Sequence, residues 1–93
     1  MTIEEIKGKV IPILERYGVK KAAIFGSVVR GESKTSSDVD ILVEIESNMS
    51  LLDFIGIKIE LEEVLKMRVD LVEYDTIKPI IKERILAEQV VIL

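Results

Sequence analysis

Apolar positions recur along the chain with two different periods, and the switches between them mark its elements. Thr2 and Glu5 have the spacing of a capping box. Ile3, Ile6, Val10, Ile13 and Leu14 then follow at helical spacing. This predicts a helix over about 2–17, with Gly18 just past its C-terminus. Pro12 lacks an N–H and crowds the preceding turn, so the helix is expected to bend or split there. Residues 20–25 read as a short strand stopped by Gly26. Positions 27–30 amount to about one helical turn, ended by Gly31, and 32–37 form a polar loop. A second strand covers 39–45.

The next segment fits both periods. Leu51, Leu52, Phe54, Ile55, Ile59, Leu61, Val64 and Leu65 suit a helix capped by Ser50 and Asp53. Ile55, Ile57, Ile59 and Leu61 also alternate with Gly56, Lys58, Glu60 and Glu62, as in a half-buried strand. The cap and the glutamate-rich stretch at 60–63 decide for a helix over 50–66, with those glutamates on a solvated face. Residues 68–73 form a third strand. A last helix over 78–88 has Pro79 in its first turn and Ile77, Ile80, Ile81, Ile85 and Leu86 on its apolar side. Tyr17 and Tyr74 are expected at the core's edge with wet hydroxyls. The apolar tail 90–93 either docks on the sheet or serves as a homo-oligomer contact. The order αβ(turn)βαβα predicts one α/β (α+β) domain over 1–93, a small mixed three-stranded sheet packed with helices.

Composition narrows the chemistry. Ile and Val together supply 26 of 93 residues, which suits buried strands. Thirteen basic and seventeen acidic side chains give a net charge of -4, so stable DNA or RNA binding is not expected. The chain has no Cys and no His. That excludes disulfides, Cys/His zinc sites, imidazole acid–base chemistry and Ser-His or Cys-His nucleophiles. A metal here must take oxygen ligands, as Mg²⁺, Mn²⁺ or Ca²⁺ do. The first nine residues do not read as a signal peptide and no apolar run approaches a membrane span, so a cytoplasmic location is expected.

The chemistry concentrates in two stretches. Asp38 and Asp40 sit two apart at the start of the second strand and share a face. Like charges held that close repel, and a cation between them relieves the repulsion. Asp70 lies inside an otherwise apolar strand; if that strand runs beside the second, it completes a three-carboxylate cluster suited to one or two Mg²⁺ ions. Ahead of these acids, a strand runs into Gly26-Ser27 and a turn. Exposed N–H groups there can receive a phosphate, Gly26 permits close approach, and Ser27 adds a hydroxyl. Arg30, one turn on, can contact phosphate or an acid. Each element alone has a plainer reading. Gly-Ser makes turns, Asp-x-Asp pairs sit in solvent, Arg30 can pair with Glu32, and Asp70 can pair with Arg68. Anion donors opposite metal-binding acids describe a site for a metal–triphosphate.

The combined pattern resembles the nucleotidyltransferase superfamily of the DNA polymerase beta type, and more closely the minimal nucleotidyltransferases encoded beside helical HEPN toxins. Gly26-Ser27, ten residues, then Asp38-Val39-Asp40 reproduces that family's motif, and Arg30-Gly31 and Val69-Asp70-Leu71-Val72 match its further elements. The resemblance implies a nucleotidyltransferase fold. It implies Asp38, Asp40 and Asp70 as Mg²⁺ ligands, with Asp70 assisting the attacking hydroxyl, and Gly26 and Ser27 on the triphosphate. It implies an antitoxin that moves AMP from ATP to a tyrosine of a HEPN toxin from a neighbouring gene. Larger relatives carry a second domain that helps to hold the acceptor; this chain has none, so the partner must bring that surface. An inactive descendant that neutralises the toxin by binding alone would keep the same residues.

Overall fold

The computed structural model of the protein describes residues 2–26, 29, 39–46 and 48–93. Helix α1 (Ile3–Arg16) leads into β1 (Lys21–Phe25), followed by β2 (Val39–Glu44), α2 (Leu51–Leu65), β3 (Val69–Glu73), a 3₁₀ turn (Tyr74–Thr76), α3 (Pro79–Glu88) and β4 (Val90–Val91).

Helix α1 starts where the sequence places it. The Thr2 hydroxyl accepts from the Glu5 N–H at 3.1 Å, and the Glu5 carboxylate accepts from the Thr2 N–H at 3.3 Å. The helix runs through Pro12 without a break, so it is not split there. Ile6, Val10 and Leu14 are fully buried along one side, and that packing holds both halves on the sheet. Gly18 adopts φ +80° just past the helix, where other residues would be strained. Helix α2 explains the ambiguous period. Its Ile57, Leu61 and Leu65 face the core, while Leu51, Leu52, Ile55 and Ile59 are exposed, so it is apolar nearly all round. The Ser50 hydroxyl caps it by accepting from the Asp53 N–H at 3.1 Å, and Lys66 ends it in the left-handed region at φ 56°.

The sheet has four strands in the order β3-β2-β1-β4, one more than expected. β2 runs antiparallel to β1 and parallel to β3, so the sheet is mixed. The extra strand comes from the apolar tail: β4 pairs with β1, and the Ile92 N–H donates to the Ala22 carbonyl at 2.9 Å. Ile92 is buried. The tail is docked on the sheet.

One face of the sheet, with Ile24, Ile41, Val43 and Leu71, packs against α1 and α2 to form the main core. The other face, with Ala23, Leu42 and Val72, is covered in part by Tyr74, Ile77, Ile85 and Leu86. Ile80 does not belong to that apolar side; it is 88% exposed. Tyr74 is buried, and its hydroxyl donates to Gln89 Oε1 at 2.8 Å. Residues before and after α3 are thereby tied together.

Two glutamates expected in solvent are engaged. The Glu60 carboxylate accepts from the Tyr17 hydroxyl and pairs with Arg16. These bonds hold Glu60 below the usual carboxylate range, while the bond to Glu60 raises Tyr17. Glu62 accepts from the Val69 N–H at 3.0 Å. The Tyr17 hydroxyl is therefore hydrogen-bonded within the protein, like that of Tyr74.

Candidate active site

The sheet register assembles the site. Phe25 at the end of β1 lies opposite Asp40, and Asp40 lies opposite Asp70 on the parallel neighbour. Directly paired residues project to the same side, with backbones about 4.8 Å apart. Phe25, Asp40 and Asp70 therefore form a row across three strands, on the face that α3 only partly covers. Asp40 is half-buried and Asp70 exposed. Parity within each strand requires this placement: Val39 and Ile41, and Val69 and Leu71, point into the main core.

Gly26 follows the end of β1 and lies against this row. Its φ is +82°, a conformation that glycine adopts without strain. A Cβ at this position would land on the Asp40 carboxylate, 3.1 Å from its Cγ. The role expected from sequence, room for a phosphate, is thus supplemented by a nearer one: the missing side chain is what lets Asp40 sit against the end of β1.

Of the six residues expected from sequence, the structure brings Gly26, Asp40 and Asp70 together. Asp38, Ser27 and Arg30 lie outside the described residues, as does most of the predicted turn and loop. Among the described residues no group of three acids could hold a metal ion. Asp40 and Asp70, in register on neighbouring strands, are the described carboxylates whose oxygens suit a hard divalent cation.

Two grooves flank the row. One, of about 400 Å³, runs between the sheet and α3 and is lined by Phe25, Asp70, Val72, Thr76, Ile77, Lys78, Ile81 and Ile85. A second, of about 240 Å³, is lined by Phe25, Gly26, Ile81, Arg84, Ile85 and Glu88. They share Phe25, Ile81 and Ile85, so α3 borders both. A larger hollow of about 450 Å³ near Met49 and Phe54 is mostly apolar and contains none of the expected site residues. Phe25, Lys78 and Arg84 are lining residues that the sequence reading missed. Phe25 was readable from its position before Gly26, whereas nothing in the sequence marks Lys78 or Arg84.

Known proteins extend the comparison. Residues 8–93 match the family profile described as "Polymerase beta, Nucleotidyltransferase". The chain is 55% identical over 93 residues to the Methanocaldococcus jannaschii protein named "Putative protein adenylyltransferase MJ0435", covering 100% of both chains. It is 45% identical over 94 residues to "Protein adenylyltransferase MntA" of Thermococcus cleftensis, covering 97% of this chain and 95% of that one. In fold it is similar to a chain of the solved complex of the tri-AMPylated Shewanella oneidensis HEPN toxin with its MNT antitoxin. That match has a TM-score of 0.74 and 17% identity, and covers 97% of this chain and 71% of the other. With an acid pair on adjacent strands, Gly26 against it and a family match over nearly the whole sequence, the chain belongs to the polymerase beta-type nucleotidyltransferase family.

Proposed function

We propose that this chain is a Mg²⁺-dependent protein adenylyltransferase of the cytoplasm. It moves AMP from ATP to a tyrosine hydroxyl of a HEPN toxin and so acts as the antitoxin. The observation that carries the reading is the Asp40–Asp70 pair beside Gly26. The names of the relatives support the reaction, and the Shewanella oneidensis complex supports the kind of partner.

Asp40 and Asp70, with Asp38 assigned by resemblance, are the residues to hold Mg²⁺, which supplies charge neutralisation on the triphosphate and the leaving group. Gly26 and Ser27 bind the phosphates beyond the α-phosphorus. The acceptor oxygen attacks the α-phosphorus in line. The bond from that phosphorus to the bridging oxygen breaks, and pyrophosphate leaves. With no histidine in the chain, the proton passes to a carboxylate. Asp70 is the candidate, because it is exposed toward an incoming acceptor whereas Asp40 is packed against Gly26. The groove beside Asp70 is rimmed by α3, where Ile80 and Ile81 are 88% and 46% exposed. Exposed isoleucines there suit an acceptor carried on a protein surface.

ATP labelled at either end tests the reaction. Label at the α-phosphate should appear on the HEPN protein, and label at the γ-phosphate should be released as pyrophosphate. Transfer of the γ-label would identify a kinase-type reaction and overturn the proposal.

A further inference from the structure

We propose that Arg84 on α3 is a triphosphate-binding residue, contacting the phosphates beyond the α-phosphorus from across the groove that faces Gly26. The inference rests on the adenylyltransferase reading and adds to it a residue on an element outside the motif.

Three observations meet at this position. Arg84 lines the same groove as Gly26, with Phe25 on the sheet side and Ile81, Ile85 and Glu88 on its own helix. That groove and the one at Asp70 share Phe25, Ile81 and Ile85 as walls, so they lie side by side along α3. A triphosphate with its α-phosphorus at the Asp40–Asp70 row and its tail toward Gly26 therefore runs alongside α3. The second observation is charge. The chain carries -4 overall and Glu88 also lines this groove, so an anion entering it needs a fixed cation, and among the described lining residues that is Arg84.

The third is the geometry of the guanidinium. Arg84 Nε lies 3.6 Å from Glu88 Oε1, one turn on, with the arginine side chain 78% exposed. That pair uses the Nε edge, and the terminal amino groups have no ion-pair partner among the described residues. A guanidinium whose Nε edge faces a carboxylate keeps its terminal donors for a phosphate, which it can bind through two parallel hydrogen bonds. The bland alternative is an exposed helix-surface pair, which contributes little. The two readings differ in what Glu88 does: a competitor for the guanidinium in one, a needed partner in the other.

Calorimetric titration of the full chain with Mg²⁺-ATP and with AMP separates them. Arg84→Ala should weaken Mg²⁺-ATP binding about tenfold or more, as expected for a lost charge-assisted contact, with AMP binding unchanged. Arg84→Lys should recover part of the loss. Glu88→Gln should leave Mg²⁺-ATP binding equal or tighter. Lys58→Ala, at an exposed position of α2 outside both grooves, should change nothing and so controls for net charge. Equal Mg²⁺-ATP affinity in wild type and Arg84→Ala would overturn the inference while leaving the adenylyltransferase reading intact, as would equal losses in Arg84→Ala and Glu88→Gln. A folded wild type that fails to bind Mg²⁺-ATP at all would overturn the reading itself, and the inference with it.

Discussion

Replacing Gly26 by alanine separates stability from chemistry. Gly26 has φ +82°, and an alanine there costs about 1–2 kcal/mol of backbone strain. Reduced freedom of the unfolded chain returns about 0.4–1 kcal/mol. The new Cβ would meet the Asp40 carboxylate, the movable end of a side chain, so Asp40 turns aside instead of the strands separating. Leaving its rotamer adds about 0.5–1.5 kcal/mol. The net loss is roughly 1.5 kcal/mol, which urea unfolding reads as a midpoint about 1 M lower or somewhat more. Activity suffers more. A carboxylate displaced by about 1 Å from its working position costs on the order of 10²-fold in rate. The test is a double-mutant cycle with Asp40→Ala, whose truncated side chain ends at Cβ, an ordinary 3.4 Å from the added carbon. In that background the steric part vanishes and Gly26→Ala should cost about 1 kcal/mol less. An identical stability loss in both backgrounds, or a transfer rate unchanged in Gly26→Ala, would refute the reasoning.

Other expectations follow from the packing. Ile92→Ala should destabilise the fold by about 2–4 kcal/mol in urea unfolding, because the C-terminal segment is part of the sheet; its melting temperature should not depend on protein concentration. Thr2→Ala should remove the capping box and cost about 1 kcal/mol by the same measurement. Glu60 sits below its ordinary 4.5 in the fold, so its bonds to Tyr17 and Arg16 stabilise the protein above that pH, and the stabilisation disappears as pH falls through the folded-state value. Glu60→Gln should flatten that acid limb of the stability–pH curve. Tyr17 should ionise above its ordinary 10.0, read by ultraviolet absorbance, and Glu60→Gln should lower it toward that value.

Local signals were legible in the sequence, and relations between distant residues were not. Thr2, Glu5, Gly18 and Ser50 mark their helix ends because a cap lies within a few residues of what it bonds. Pro12 did not split the helix because the burial of Ile6, Val10 and Leu14 on both sides of it, rather than local propensity, keeps α1 continuous on the sheet. Val90–Val91 is too short for a period to show, so the fourth strand exists only through its pairing with β1. Parity placed Asp40 on one face of its strand, but only the parallel register sets Asp70 beside it. Glu60 looked like solvent-facing charge because its partners lie more than forty residues away in the chain. Arg84 reads in sequence as one half of an i,i+4 pair, and its groove appears only once α3 is laid against Phe25 and Gly26.

Intact-mass spectrometry of the HEPN partner, after incubation with this protein, ATP and Mg²⁺, tests nucleotidyl transfer most directly. The expected result is a gain of one or more adenylate groups with wild type and none with Asp40→Asn or Asp70→Asn. A partner that is fully neutralised with its mass unchanged, and neutralised equally by both variants, would contradict transfer and leave a protein that silences its partner by binding alone.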